Sequence, residues 1–294
     1  MNGDENMLNG LIGAQESARL MGELQRGASR RDVLAMLTAA GMQAALAGTV
    51  AALASSAQAQ VPRRGGRIRV AGTATGVNDT LDPARQSNHT DYCRGFMLYN
   101  GLTALDGSLA PQPSLAEEFT TQDAKTWVFK LRKGVTFHDG KPLTPADVVF
   151  SIMRHKDPAT ASRAKVLADQ IEGVTETGPN EVTFRLTTPN ADLPVILGTY
   201  HFHIVKDGTT DFTAGIGTGP YRLKEFRPGV RSVAVRNEAY WRPNRPYLDE
   251  VEFVGITDES ARVNALLSGQ LDLIGAVDPR SVERVRATGK HAIF

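Results

Sequence analysis

Cysteine is almost absent from this sequence: Cys93 is the only one in 294 residues. One thiol makes no internal disulfide and no cysteine framework for a metal. It is followed by Arg94, Gly95 and Phe96 in an amphipathic stretch, which reads as a small packed residue. An excess of either charge sign is also missing. Lys and Arg number 33 against 32 Asp and Glu, a formal net charge of +1. That balance gives no ground for binding nucleic acid or an anionic membrane surface. Hydrolase signatures are lacking too. No Gly-x-Ser-x-Gly or His-Glu-x-x-His occurs, and the carboxylates are spread without an evident pair. The reading is of a protein that is not an enzyme and needs no cofactor. What is present, 41% hydrophobic and 22% charged residues, is an ordinary globular composition with ample material for a core.

The first sixty residues read as an address. Ser29-Arg30-Arg31-Asp32-Val33-Leu34 is followed by a stretch with no Asp, Glu, Lys or Arg as far as Pro62. Its middle is alanine-rich and only mildly hydrophobic, and it closes on Ala57-Gln58-Ala59. Basic region, apolar region and small-x-small site in that order make an export signal over residues 1–59, with cleavage between Ala59 and Gln60. The paired Arg30 and Arg31 resemble a twin-arginine signal, with Val33 and Ala35 departing from its usual Phe and Lys. The expected partner is the twin-arginine export machinery, and the expected location is periplasmic, membrane-tethered if the signal is retained.

Beyond it the pattern is mixed α and β. Arg67 to Ala71 alternates as a short strand, then a polar loop with Asp82-Pro83 runs to Asp91. Helical character spans Thr90 to before Gly101. Val174–Glu176 and Val182–Leu186 predict a hairpin around Gly178-Pro179-Asn180, and His201 to Val205 predicts a buried strand. His201 and His203 on one strand face form a metal-ligating pattern for which no third ligand is placed. Gly215-Ile-Gly-Thr-Gly-Pro220 leads into the alternating strand Tyr221–Phe226. A dinucleotide loop would open a helix, so these glycines serve a sharp turn or a close backbone approach. Thr257 or Asp258 caps a helix through Leu267, and Leu271–Ile274 predicts a final buried strand.

The richest segment is Trp127–Ser151. Trp127, Phe129 and Leu131 alternate with Val128, Lys130 and Arg132, the period of a strand with one buried face. His138 and Asp139 read as residues of the Asp139-Gly140 turn. Thr144 then caps a helix begun by Pro145, with Asp147 in its first turn and Val148, Val149 and Ile152 as its apolar stripe. This block resembles the signature of the extracytoplasmic solute-binding proteins, family 5, that serve peptide and nickel ABC importers. Asp82-Pro83, Tyr99-Asn-Gly-Leu102, Gly217-Thr-Gly-Pro-Tyr221, Arg236-Asn237, Tyr240-Trp241, Tyr247-Leu-Asp-Glu250 and Leu266-Leu-Ser-Gly-Gln-Leu-Asp272 match further landmarks of that family in order.

The resemblance implies an α/β, periplasmic binding protein-like fold (type II) of two lobes closing over a solute. The first lobe would cover 60–274, with its core at 64–96 and 204–273 and an inserted α+β subdomain at 97–203. Residues 275–294 would begin a second lobe that is largely missing, leaving apolar sheet faces uncovered. The implied function is capture of a solute, a short peptide first, for delivery to ABC transporter permease subunits by a monomer. Relatives taking nickel complexes, haem, opines or sugars make a non-peptide solute the alternative, as is a non-functional fragment. The polar loop after the first strand nominates Thr75, Asn88, His89 and Tyr92 as ligand-wall residues.

Overall fold

The structure, a computed structural model, describes residues 63–293. The segment read in the sequence as an export signal, with Arg30, Arg31, Ala59 and Gln60, lies outside the described residues. The strands are β1 (Arg67–Ala71), β2 (Thr103–Leu105), β3 (Pro111–Pro113), β4 (Ala116–Thr121), β5 (Thr126–Leu131), β6 (Ile171–Gly178), β7 (Glu181–Leu186), β8 (Tyr221–Arg227), β9 (Arg231–Arg236), β10 (Glu250–Val254) and β11 (Leu273–Ile274). The helices are α1 (His89–Leu98), α2 (Pro145–Met153), α3 (Lys165–Ala168), α4 (Leu193–Leu197), α5 (Glu259–Leu267) and α6 (Pro279–Arg286), with short 3-10 turns between them.

Two sheets organise the chain. The larger has the order β11-β1-β10-β9-β8, so β1 is flanked by strands that follow it by about 180 and 200 residues. β1 runs parallel to β10 and β11, while β10, β9 and β8 are antiparallel neighbours. Val70, Ala234, Val251, Phe253 and Tyr221 make one face apolar, and α1 covers it with Cys93 and Met97. Burial pushes the Cys93 thiol up, away from the reactive range. The opposite face departs from the expectation of uncovered apolar surface. It carries ion pairs instead: Arg67 with Glu250 and Glu252, Arg231 with Glu252, and Lys224 with Glu250.

The second sheet, β4-β5-β7-β6, contains the signature strand. Trp127, Phe129 and Leu131 point inward as their alternation predicts, against Val182, Phe184 and Leu186 of β7. Val148 and Ile152 of α2 close this core. Asp147 accepts from the backbone N–H and hydroxyl of Thr144 at 2.7 Å each, so the start of α2 is fixed by three local residues. The β6–β7 hairpin and the Asp258 cap of α5 also follow the sequence pattern.

Two polar residues, His138 buried and Asn100 half-buried, join the segments that link the sheets. The His138 N–H donates to the Gly217 carbonyl at 2.8 Å, and the Gly217 N–H donates to His138 Nδ1 at 3.2 Å. Nδ1 is therefore the bare nitrogen, and Nε2–H donates to the Gly219 carbonyl at 3.1 Å. Burial holds this imidazole below its usual range, which suits the neutral form. His138 is thus more than a turn residue. Asn100 makes the second join, accepting at Oδ1 from Trp241 Nε1 at 3.0 Å and from the Thr218 hydroxyl at 3.2 Å. Gly217 and Gly219 lie against the last turn of α1: added Cβ atoms would sit 2.0 and 2.4 Å from Leu98 backbone atoms. Close approach is the reason for these glycines.

Two strands expected from the sequence differ. Tyr200–Phe202 is a 3-10 turn, and His203–Val205 pairs with no strand. The Ile204 N–H goes to the Asn100 carbonyl and the Val205 N–H to Ser151 Oγ, so these backbone groups are satisfied outside any ladder. Leu271–Ile274 yields only the two-residue edge strand β11, with Leu273 48% exposed. The stretch from 275, read in the sequence as leading to a second lobe, packs on α5 through Val285.

Candidate functional site

In open sheets with parallel strands, ligands settle outside the carboxyl ends of the strands. Here β1, β10 and β11 end together at Ala71, Val254 and Ile274. The loops leaving them, 72–80, 255–258 and 275–278, form a rim with the β8–β9 turn at Pro228–Val230. The loops touch through glycine. A Cβ on Gly255 would lie 2.3 Å from the Gly229 carbonyl oxygen, and one on Gly229 would lie 2.9 Å from the backbone of Gly76. Any larger residue at these points would push the loops apart. At the top of the rim Val77 is 86% and Val230 58% exposed.

Beneath the rim lies a buried ion cluster. Arg94 is 2% exposed, and its Nη1 donates to Asp79 Oδ2 at 3.0 Å and to Asp91 Oδ1 at 2.7 Å. Its Nε donates to Ser232 Oγ at 3.0 Å, and the Phe226 and Phe253 rings stand 5.4 and 6.0 Å from the guanidinium. Asp79 gathers the rim: it accepts from the Thr75 hydroxyl at 2.7 Å, Gly76 N–H at 2.9 Å, Asn88 Nδ2 at 3.1 Å and Gly229 N–H at 3.3 Å. One guanidinium serves two carboxylates, and they diverge. Burial and the charge of Asp79 push Asp91 up to about 6. Burial also opposes ionisation of Asp79, but Thr75, Arg94 and the Gly76 N–H together hold it below the usual carboxylate range.

The four nominated wall residues fall into two groups. Thr75 and Asn88 belong to the cluster, and Asn88 also caps α1 by accepting from the Asp91 N–H at 3.0 Å. His89 is exposed on the first turn of α1. Tyr92 stacks on Tyr200 with ring centroids 3.7 Å apart, and His201 meets Tyr92 edge-on at 5.8 Å while donating from Nδ1 to the Pro83 carbonyl. The sequence reading missed Asp79, Asp91 and Arg94. The available signal was an Asp and an Arg three apart on a helix that must also cover a sheet. Among the described residues, no group of three or more His, Cys, Asp or Glu is placed to hold a metal ion. Among them, too, no helix is long and apolar enough to cross a membrane.

The family model for bacterial extracellular solute-binding proteins, family 5 Middle, matches residues 110–293. The chain belongs to this family. Among curated family 5 relatives, the periplasmic oligopeptide-binding protein OppA of Escherichia coli K12 is 28% identical over 266 residues, 81% of this chain and 48% of OppA. The oligopeptide-binding protein AppA of Bacillus subtilis is 30% identical over 203 residues, 64% of this chain and 37% of AppA. Among solved structures, Helicobacter pylori DppA in complex with the peptide STSA matches with a TM-score of 0.70 at 25% identity, covering 77% of this chain and 49% of DppA. The chain thus spans about half the length, or less, of the relatives it matches.

Replacing Arg94 by Met leaves two carboxylates buried without their cation, and the expected loss is ~3–5 kcal/mol in urea unfolding. Asp91→Asn tests the raised carboxyl. Between the ordinary value near 4 and about 6, folded Asp91 holds a proton that the unfolded chain has released. Its contribution is full at low pH and lost as pH rises through that window, with a slope of at most ~1.4 kcal/mol per pH unit. Burial depresses His155 to about 4 and His203 to about 3, which acts with the opposite sign over an overlapping range. The diagnostic is therefore the wild-type minus Asp91→Asn stability difference, expected to fall from pH 4 to pH 6. A flat difference would refute the assignment.

Proposed function

We propose that this chain is part of the substrate-binding component of an ABC importer. It takes up a solute outside the cytoplasmic membrane, a short peptide first, and presents it to permease subunits. The observation that carries the reading is the rim. Two loops at the carboxyl ends of parallel strands and the β8–β9 turn are held in backbone contact above a buried ion cluster, in a member of the solute-binding family. A rigid edge of this kind suits an extended ligand whose main chain seeks hydrogen bonds. The names of OppA and AppA, and the peptide held by DppA, favour a peptide.

On this reading residues 64–96 and 204–273 form the core of a first lobe and 97–203 its inserted subdomain. Thr75 and Asn88 act by holding the rim, and His89 and Tyr92 contribute an aromatic patch beside it. Charged anchors for the peptide termini come from a second lobe, and closure between lobes excludes water and strengthens those contacts. Binding without turnover, monomeric, in the periplasm after twin-arginine export completes the proposal.

A pool of defined tri- to pentapeptides, added to the purified chain and followed by amide hydrogen exchange, tests it. Protection is expected at 72–80 and 228–231, with every peptide recovered intact. Peptide hydrolysis, or protection confined to residues away from the rim, would refute it.

A further inference from the structure

The opposite end of the larger sheet carries a recess. The 237–249 segment, which enters β10, folds back over the start of β8. It borders this open recess of about 380 Å³, lined by Tyr221, Tyr240, Tyr247, Pro246, Arg242 and Arg245 among others. Because β1 and β10 are parallel, this recess sits at their amino ends, away from the rim. Its volume is within the range of small-molecule sites.

The chemistry of its wall is uneven in one respect. Arg242 lies over the Trp241 ring at 4.7 Å and Arg245 over the Tyr247 ring at 4.4 Å. Neither is within 4.0 Å of a carboxylate among the described residues, whereas Arg67, Arg231 and Arg236 on the same sheet are all paired. The nearby acids are committed elsewhere. Asp249 accepts from Arg236 and from the Gly66 N–H, and Glu238 faces Arg236. Among the described residues, two positive charges therefore remain without a carboxylate partner beside one recess.

Stacking fixes the plane of a guanidinium while leaving its edge N–H groups free for an oxyanion. The platform is held in advance, because Trp241 Nε1 donates to Asn100 and Asn100 Nδ2 donates to the Tyr240 hydroxyl at 3.4 Å. Phenol rings and proline complete the wall and suit a flat apolar body. We infer that the recess between Tyr221, Tyr240 and Arg242–Tyr247 binds a small planar ring bearing an oxyanion, an aromatic carboxylate or phosphate. This site is separate from the peptide rim and does not depend on that function.

Calorimetric titration of the 294-residue chain with phenyl phosphate and with benzoate tests the inference, with inorganic phosphate and phenol as the half-ligands. One or both of the ring-bearing anions is expected to bind with a dissociation constant of about 1 mM or tighter. Each half-ligand should be weaker by about tenfold or more. The double variant Arg242→Gln/Arg245→Gln should lose about tenfold, with its circular dichroism and thermal midpoint unchanged. If that variant fails to fold, Arg245→Lys, which keeps the charge but loses the fork, should weaken binding on its own. The tighter of the two ring anions identifies the oxyanion. Binding of inorganic phosphate as tight as phenyl phosphate, wild-type affinity in the folded variants, or no binding of either ring anion would overturn the inference.

Discussion

The buried guanidinium of Arg94 is the interaction on which the rim depends. A charge removed from water is costly unless its partners restore what hydration supplied. Here that role falls to Asp79, Asp91, Ser232 and two aromatic faces. The cost has a structural return. Asp79, held by Arg94, is the common acceptor for Thr75, Gly76, Asn88 and Gly229, which come from the post-β1 loop, the start of α1 and the β8–β9 turn. The β8–β9 turn, 150 residues on in sequence, is thereby tied to the same carboxylate as the post-β1 loop and the start of α1, and the loops above it inherit a fixed shape.

The same economy of few polar joins operates between the two sheets. His138 sits in the signature block and spends its backbone N–H and both ring nitrogens on Gly217 and Gly219. Asn100 links Thr218, Tyr240 and Trp241. Several of the motifs that mark the family, those containing His138, Asn100, Gly217–Gly219, Asn237 and Trp241, thus meet one another in space. Outside these joins the sheets are held by apolar packing, and the open face of the larger sheet carries ion pairs that are exposed at Lys224 and Arg67 and buried at Glu252.

What was legible in the sequence was local. The alternation of Trp127, Phe129 and Leu131, the Thr144-Pro145-Asp147 start of α2 and the β6–β7 hairpin each follow from neighbours within a few residues. The family landmarks extended that reading to the fold class. What failed was decided at long range. His203–Val205 has the pattern of a strand, yet its N–H groups are satisfied by Asn100 and Ser151, over 50 residues away. β11 is short because it lies at a sheet edge, and edge position is not written in Leu271–Ile274. The Arg94 cluster was hidden for the same reason, since Asp79 lies on a loop whose approach to α1 only the fold creates. Thr75 and Asn88 were nominated from that loop for their polarity, and their polar groups turn inward to the cluster.

Amide hydrogen exchange in an Asp79→Asn variant tests directly whether this cluster holds the rim. The side chain keeps its size and loses the charge that Arg94 pairs and that the rim N–H groups seek. Faster exchange at Gly76 and Gly229, with the amides of β5 and β7 unchanged, is the expected result. Unchanged exchange at both glycines would show that the rim is held by other means and would contradict the central role given to Arg94 and Asp79.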